Sequence, residues 1–220
     1  MKILITDVTY MKEGGSLCLA GWDAANRRMV RPLPKGNHWN PSTVHQFGIA
    51  PGVTILVEPK GVSPRDYPHR IEDQPIDPDS IKIAEPHFTD WTGAKGPYAN
   101  AFVAEAFKDK VARNSEYRSV WQGVHVAAGT HCPSLAGVNI PKRNLALVEE
   151  FNKLKAIVDD RAVSYKLAVT CKALRDAWAA GGLSAVRAAI PQRDLLHVRF
   201  GLAHAFEDPP KCYMMLNGVL

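Results

Sequence analysis

Short runs with the two-residue period of a half-buried strand recur in both halves of the chain, and they constrain the fold more than any other feature. Val53, Ile55 and Val57 alternate with Thr54, Leu56 and Glu58. In the second half Leu154, Ala156 and Val158 alternate before the polar turn Asp159-Asp160-Arg161, and Val163, Tyr165, Leu167 and Val169 alternate after it. Leu196, Val198, Phe200 and Leu202 repeat the pattern, and Cys212–Leu220 closes it. At the start, Lys2–Tyr10 and Leu17–Trp22 flank Lys12-Glu13-Gly14-Gly15-Ser16, a hairpin signal, and Arg27–Leu33 follows a short turn. Such a chain is mainly β with α insertions, a β-rich α+β protein with two β units.

Helical signals are fewer. Ala99, Phe102, Val103, Ala106, Phe107 and Lys110 follow the spacing of one buried stripe, which predicts a helix over Tyr98–Asn114, the longest in the chain. Thr170 is placed to cap a second helix carrying Leu174, Ala177 and Trp178, stopped by Gly181-Gly182, with a short helical piece over Leu183–Ala189. Residues from Asn37 to Pro51 lack a period and read as a loop. Prolines and acidic residues crowd Ser63–Pro86, an irregular connection with one short strand at Ile81–Ala84. The expected organisation is an N-terminal β unit over 1–90, a helix-bearing connection over 91–140 and a C-terminal β unit over 141–220.

At 220 residues the chain buries enough surface to fold without a staple. Its four cysteines (Cys18, Cys132, Cys171, Cys212) are far apart, in apolar settings, and read as free thiols. No run of about 18 apolar residues stands ready to span a membrane. The opening Met1–Asp7 meets an acid too soon for the apolar core of a signal peptide, so a cytoplasmic location is expected. The net charge of +5 permits an anionic partner without demanding one.

The second half resembles the dual OB-containing domain family of bacterial proteins. The resemblance lies in the order of Asn144–Val148, the Lys-rich strand Lys153–Val158, Ser164–Thr170, Leu196–Phe206 and the closing Cys212–Val219. In the first half Met29–Leu33, Gly52–Glu58 and Pro68–Asp73 are similar to that family's N-terminal pattern. Cys171 departs from it where an acid is expected, and Gly201–Phe206 lacks a charged residue before its final segment. The resemblance implies two OB-like small β-barrels and a role in sensing or holding nucleic acid, within bacterial defence against foreign genomes.

An OB barrel binds single strands through cations that track phosphates and flat side chains on which bases stack. Ala24–Val57 contains Arg27, Arg28, Arg31 and Lys35 and no acid, interleaved with His38 and Trp39. Arg31, alternating with Met29 and Leu33, calls for a specific partner. Trp39 reads equally well as ligand contact or loop anchor, whereas Trp22 reads as core. Lys142 and Arg143 follow a turn where phosphate contact is feasible, and Arg199 completes the candidate nucleic-acid set. Lys153, Lys155 and Lys166 read as ordinary solvated charges on a sheet face, and Tyr213 as core.

The expected function is non-catalytic nucleic-acid binding, with a single-stranded DNA or RNA end or loop as partner. An enzyme acting on a nucleotide through His69 and Glu72 or Asp73 is one alternative. A module recruiting a protein effector, through the acidic stretch or the Phe102/Phe107 helix, is another, and a helix-turn-helix over 171–190 is a weaker one. Neither a phosphate-binding glycine loop nor a nucleophile elbow occurs. His125, His131 and Cys132 lie near each other without zinc-finger spacing, so neither metal nor other cofactor is expected.

Overall fold

The computed structural model describes residues 1–11, 15–34, 38–62, 66–85, 99–161 and 163–220. Strands dominate it, in two sheets that belong to two compact units. The first unit comprises Met1–Arg65 and Glu72–Pro97; the second comprises Asp66–Ile71 and Tyr98–Leu220. The described part of the expected 91–140 connection therefore belongs to the second unit from residue 99 onward.

In the first unit β1 (Lys2–Tyr10), β2 (Leu17–Asp23) and β3 (Arg28–Leu33) form an antiparallel meander. A one-turn helix α1 (Pro41–Gln46) follows, then β4 (Thr54–Leu56), β5 (Asp73–Pro75) and β6 (Lys82–Glu85). β4 returns antiparallel to β1, and β5 lies parallel to β3. Backbone bonds from Lys60 N–H to the Pro75 carbonyl (2.8 Å) and from Asp77 N–H to the Glu58 carbonyl (2.9 Å) join the end of the fourth strand to the fifth and close the barrel. Ile3, Ile5, Leu17, Leu19, Val30 and Ile55 fill its interior. The helix α1 replaces part of the loop expected over Asn37–Pro51. Its signature is in the residues: Asn40 caps the Ser42 N–H through its side chain at 2.9 Å, and Pro41 supplies a preset φ at the first helical position.

The second unit opens with β7 (Ala99–Asn100), α2 (Val103–Ala106), β8 (Ser115–Tyr117), β9 (Val120–Gln122) and β10 (His125–Ala127). β11 (Leu135–Pro141) and β12 (Leu145–Glu150) behave as one long strand bent at the turn Lys142–Asn144. Then come β13 (Lys153–Asp160), β14 (Val163–Val169), α3 (Lys172–Ala189), β15 (Leu195–Leu202) and β16 (Lys211–Val219). The order β12-β13-β14-β16-β15-β11 is closed by the bend between β11 and β12, and β14 runs parallel to β16. In both units a three-stranded meander leads through a helix to a fourth strand beside the first and a fifth parallel to the third. This is the connectivity of the OB fold. The chain is mainly β and contains two OB-like barrels.

The helix expected over Tyr98–Asn114 is corrected to the single turn α2 (Tyr98 itself lies outside the described residues). Val103, Ala106 and Phe107 are buried as the stripe requires, but Lys108 and Asp109 take left-handed φ of 53° and 57°, which ends the helix. Among the described residues the longest helical segment is α3, with non-helical backbone at Gly181 and Gly182, where two shorter pieces meet. Cys171 stands at its N-cap, while the Thr170 hydroxyl donates instead to the Leu216 carbonyl at 3.1 Å.

Candidate nucleic-acid interface

An OB barrel offers ligands the outer face of its second and third strands with the loops that flank them. In the first unit those strands are β2 and β3. Ala20, Trp22, Met29, Arg31 and Leu33, opposite the interior set, are all at most 8% exposed. Arg31 lies against Asp73, Nη1 to Oδ1 at 2.6 Å, both side chains buried. Burial by itself would lower the guanidinium's affinity for its proton, yet Cys18, Asp73 and Glu72 outweigh it and hold Arg31 above its ordinary value. The partner that its setting demanded is thus a carboxylate on the fifth strand.

The other described first-unit candidates are not brought together. Trp39 is buried, with its indole N–H donating to the Pro32 carbonyl at 2.8 Å. It anchors the loop and is not a stacking platform. Arg27 occupies a left-handed turn position and is exposed. Arg28 lies 3.9 Å from Asp23 and donates to the Gln74 side-chain oxygen at 3.3 Å. His38 is exposed, and Lys35 lies outside the described residues.

In the second unit Arg199 is corrected to a buried residue of β15, 2% exposed and paired across the sheet with Gly137 and Gly218. Lys142 donates to the Gln192 side-chain oxygen at 2.5 Å, and its neighbour Arg143 is exposed. Tyr213 is half-buried, not core, its hydroxyl donating to Glu207 at 2.8 Å.

The second and third strands here are β13 and β14, and their outer face is partly exposed. Register fixes what stands on it. Leu154, Ala156, Val158, Tyr165 and Leu167 point into the core, so Lys153, Lys155, Ile157, Asp159, Ser164 and Lys166 point outward, with the Ser164 hydroxyl donating to Asp159. Lys166 is held at 2.8 Å by Glu150 of β12, which reaches it across β13, whereas Lys153 and Lys155 make no ion pair among the described residues. Burial lowers the Lys155 ammonium below its ordinary value, and Lys153 and Lys166 on the same face push it further down, against a partial pull from Glu150. Like charges gathered with only Glu150 to offset them cost free energy that an anion would recover.

Aromatic side chains border this face. β12 and β13 are joined by the two-residue turn Phe151-Asn152, both at positive φ, the type I′ geometry of a tight hairpin. Asn suits that geometry; Phe does not, and its ring is 90% exposed. At the far end the hairpin of β8 and β9 extends the sheet, since β9 pairs parallel with β14 through Val120 beside Ser164. Tyr117 pairs with Val120, on the same outward row as Ser164, and is 61% exposed with the Arg118 guanidinium 5.1 Å from its ring. Arg113 lies 4.1 Å over the half-buried Trp121, which packs edge-on against Tyr165. Burial pushes the Tyr165 phenol up to about 12.

Asp73 is taken by Arg31, while His69 belongs to the second unit, its rings in contact with His204, Nε2 to Nε2 at 3.1 Å. His125 contacts the Gly123 carbonyl at 2.7 Å and His131 stacks on Tyr67. Among the described residues no group of three or more His, Cys, Asp or Glu is placed to hold a metal, and none of the four cysteines is joined in a disulfide. None of the described helices is long and apolar enough to cross a membrane.

No family model and no curated protein matches the sequence. Among solved structures the chain is similar to a murine DNA-binding protein bound to double-stranded DNA, at 8% identity and a TM-score of 0.35, covering 100% of this chain and 95% of that one. It is also similar to a tetrameric p202 HIN2 domain, at 9% identity and 0.34, covering 98% and 92%. A third, described as the molecular basis for abrogation of activation of pro-inflammatory cytokines, has 10% identity and 0.38, covering 99% and 92%. At such scores the strand connectivity within each unit remains the basis for the fold.

Proposed function

We propose that the protein binds single-stranded nucleic acid on the outer face of β13 and β14 in the second barrel. The observation that carries this reading is the row of Lys153, Lys155 and Lys166 on the face where OB barrels take their ligands, with two of the three lacking a carboxylate partner among the described residues. The burial of the equivalent face in the first barrel supports the choice of the second. Sensing of foreign genomes in a bacterial defence system, which the dual OB resemblance implies, belongs to the same proposal, as does a protein effector that would act on the bound state.

Fluorescence anisotropy with a labelled single strand at several salt concentrations tests it. Each phosphate contact removed should lower the log–log salt slope by about 0.7 for a single strand. Lys153→Ala and Lys155→Ala are the informative variants, since Lys166→Ala would also release Glu150 and add repulsion. Unchanged affinity and slope in both variants would remove this face as the site.

A further inference from the structure

Phe151 and Tyr117 are hard to explain by folding. A φ of 51° lies in the left-handed region, which a bulky residue adopts only at a cost, and Phe151 gains no burial in return. Tyr117 stands on a three-residue strand, every residue of which is exposed. Both rings border the lysine face, and the register places them at its opposite ends. Phe151 lies just beyond Lys153, at one end of β13. Tyr117 lies on the row of Asp159 and Ser164, six residues along that strand and three strands across. With a rise of ~3.3 Å per residue and ~4.8 Å between strands, the rings are on the order of 25 Å apart.

We infer that Phe151 and Tyr117 are two base-stacking platforms at the ends of one track, so that the protein selects single strands long enough to reach both. This rests on the proposed lysine face as the phosphate track. At the ~3.4 Å spacing of a stacked strand the span corresponds to about seven nucleotides, within the ~4–16 that one OB barrel covers. The Arg118 guanidinium beside the Tyr117 ring adds a cation where the strand arrives. A strand shorter than the span stacks on one ring only; a longer one gains the second contact without a second association event.

The test is an anisotropy series with oligothymidylates and oligouridylates of about 3 to about 12 nucleotides, bracketing the lower part of that range. The wild-type affinity should step upward near seven. Phe151→Ala and Tyr117→Ala should each leave short strands within about two-fold, because the remaining ring still takes a base, while long strands lose roughly ten- to hundred-fold. The double variant should weaken both. Thermal melts should match wild type, since neither ring is packed. A smooth length dependence in the wild type, or single variants that weaken every length alike or none, would overturn the two-platform inference. If Lys153→Ala and Lys155→Ala still lower the salt slope in that case, the site stands and only the length selection falls. If they do not, the site itself is lost.

Discussion

Arg31 shows how differently two arginines in the same strand behave. Arg28 is solvated, while Arg31, three residues on, is enclosed with Asp73. Breaking a buried pair by removing one partner leaves an uncompensated charge, which costs about 3–5 kcal/mol. Arg31→Ala should therefore lower the urea midpoint strongly, and Arg28→Ala should barely move it. The alternation of Arg31 with Met29 and Leu33 made the need for a partner legible from sequence; its identity was not, because Asp73 lies 42 residues away. Trp39 was ambiguous for a related reason, since the carbonyl that receives its N–H belongs to backbone and leaves no trace in residue types.

At Lys155 the relevant variable is pH. Its ammonium titrates below the ordinary lysine range in the free protein, and a bound phosphate would restore the charged form. Affinity should then be flat at neutral pH and fall as pH rises through that lowered value, earlier than in a protein relying on unperturbed lysines. Binding measured from neutral to alkaline pH in wild type and Lys155→Arg checks this, because arginine keeps its charge and should remove the early fall. Tyr165 acts on stability with a definite sign. Its phenol keeps its proton to about 12 when folded and releases it near 10 when unfolded. The unfolded state thus binds fewer protons between those values, and stability should decline across that window.

Among the elements, strands were far more legible than helices. Period-two alternation is a property of a face, and the faces of β13, β14 and β15 are long enough to display it. The stripe from Phe102 to Phe107 satisfies helical spacing within a single turn, which the sequence pattern cannot separate from a longer helix when the terminating residues are Lys108 and Asp109 rather than glycine or proline. The lysine face was visible as residues yet read as ordinary solvation, since alternating lysines also mark a wet sheet. What distinguishes it is the register with β12 and the β8–β9 hairpin, and that hairpin carries too few residues to show a period. In α3 the break does have a chemical signature. Gly182 sits at φ 62° and ψ −157°, a region essentially restricted to glycine, with open space where a Cβ would go. Gly182→Ala should cost about 1–3 kcal/mol from backbone strain alone, read as a shift in the denaturation midpoint.

For the whole molecule, two OB-like barrels in one chain need not present two equivalent sites. Each unit has the connectivity, but the outer face of β2 and β3 is buried and mostly apolar, with Arg31 paired to Asp73, while that of β13 and β14 is partly exposed and carries three lysines. The modest net charge of +5 therefore understates the local field, and a salt slope well above that for one or two phosphates would be consistent with a track rather than a point contact. The β8–β9 hairpin has one more consequence. β14 gives half its edge to β16 and the other half to β9, with the Ser164 N–H bonded to the Ser119 carbonyl at 3.1 Å. The outermost strand, β8, is short, exposed and carries the Arg113–Glu116 ion pair at its margin. Short charged borders of this kind discourage strands of other molecules from adding on. A chain lacking residues 115–122 would leave the start of β14 with unanswered backbone donors and acceptors. Light scattering of that variant should rise with protein concentration, as copies supply one another with the missing strand.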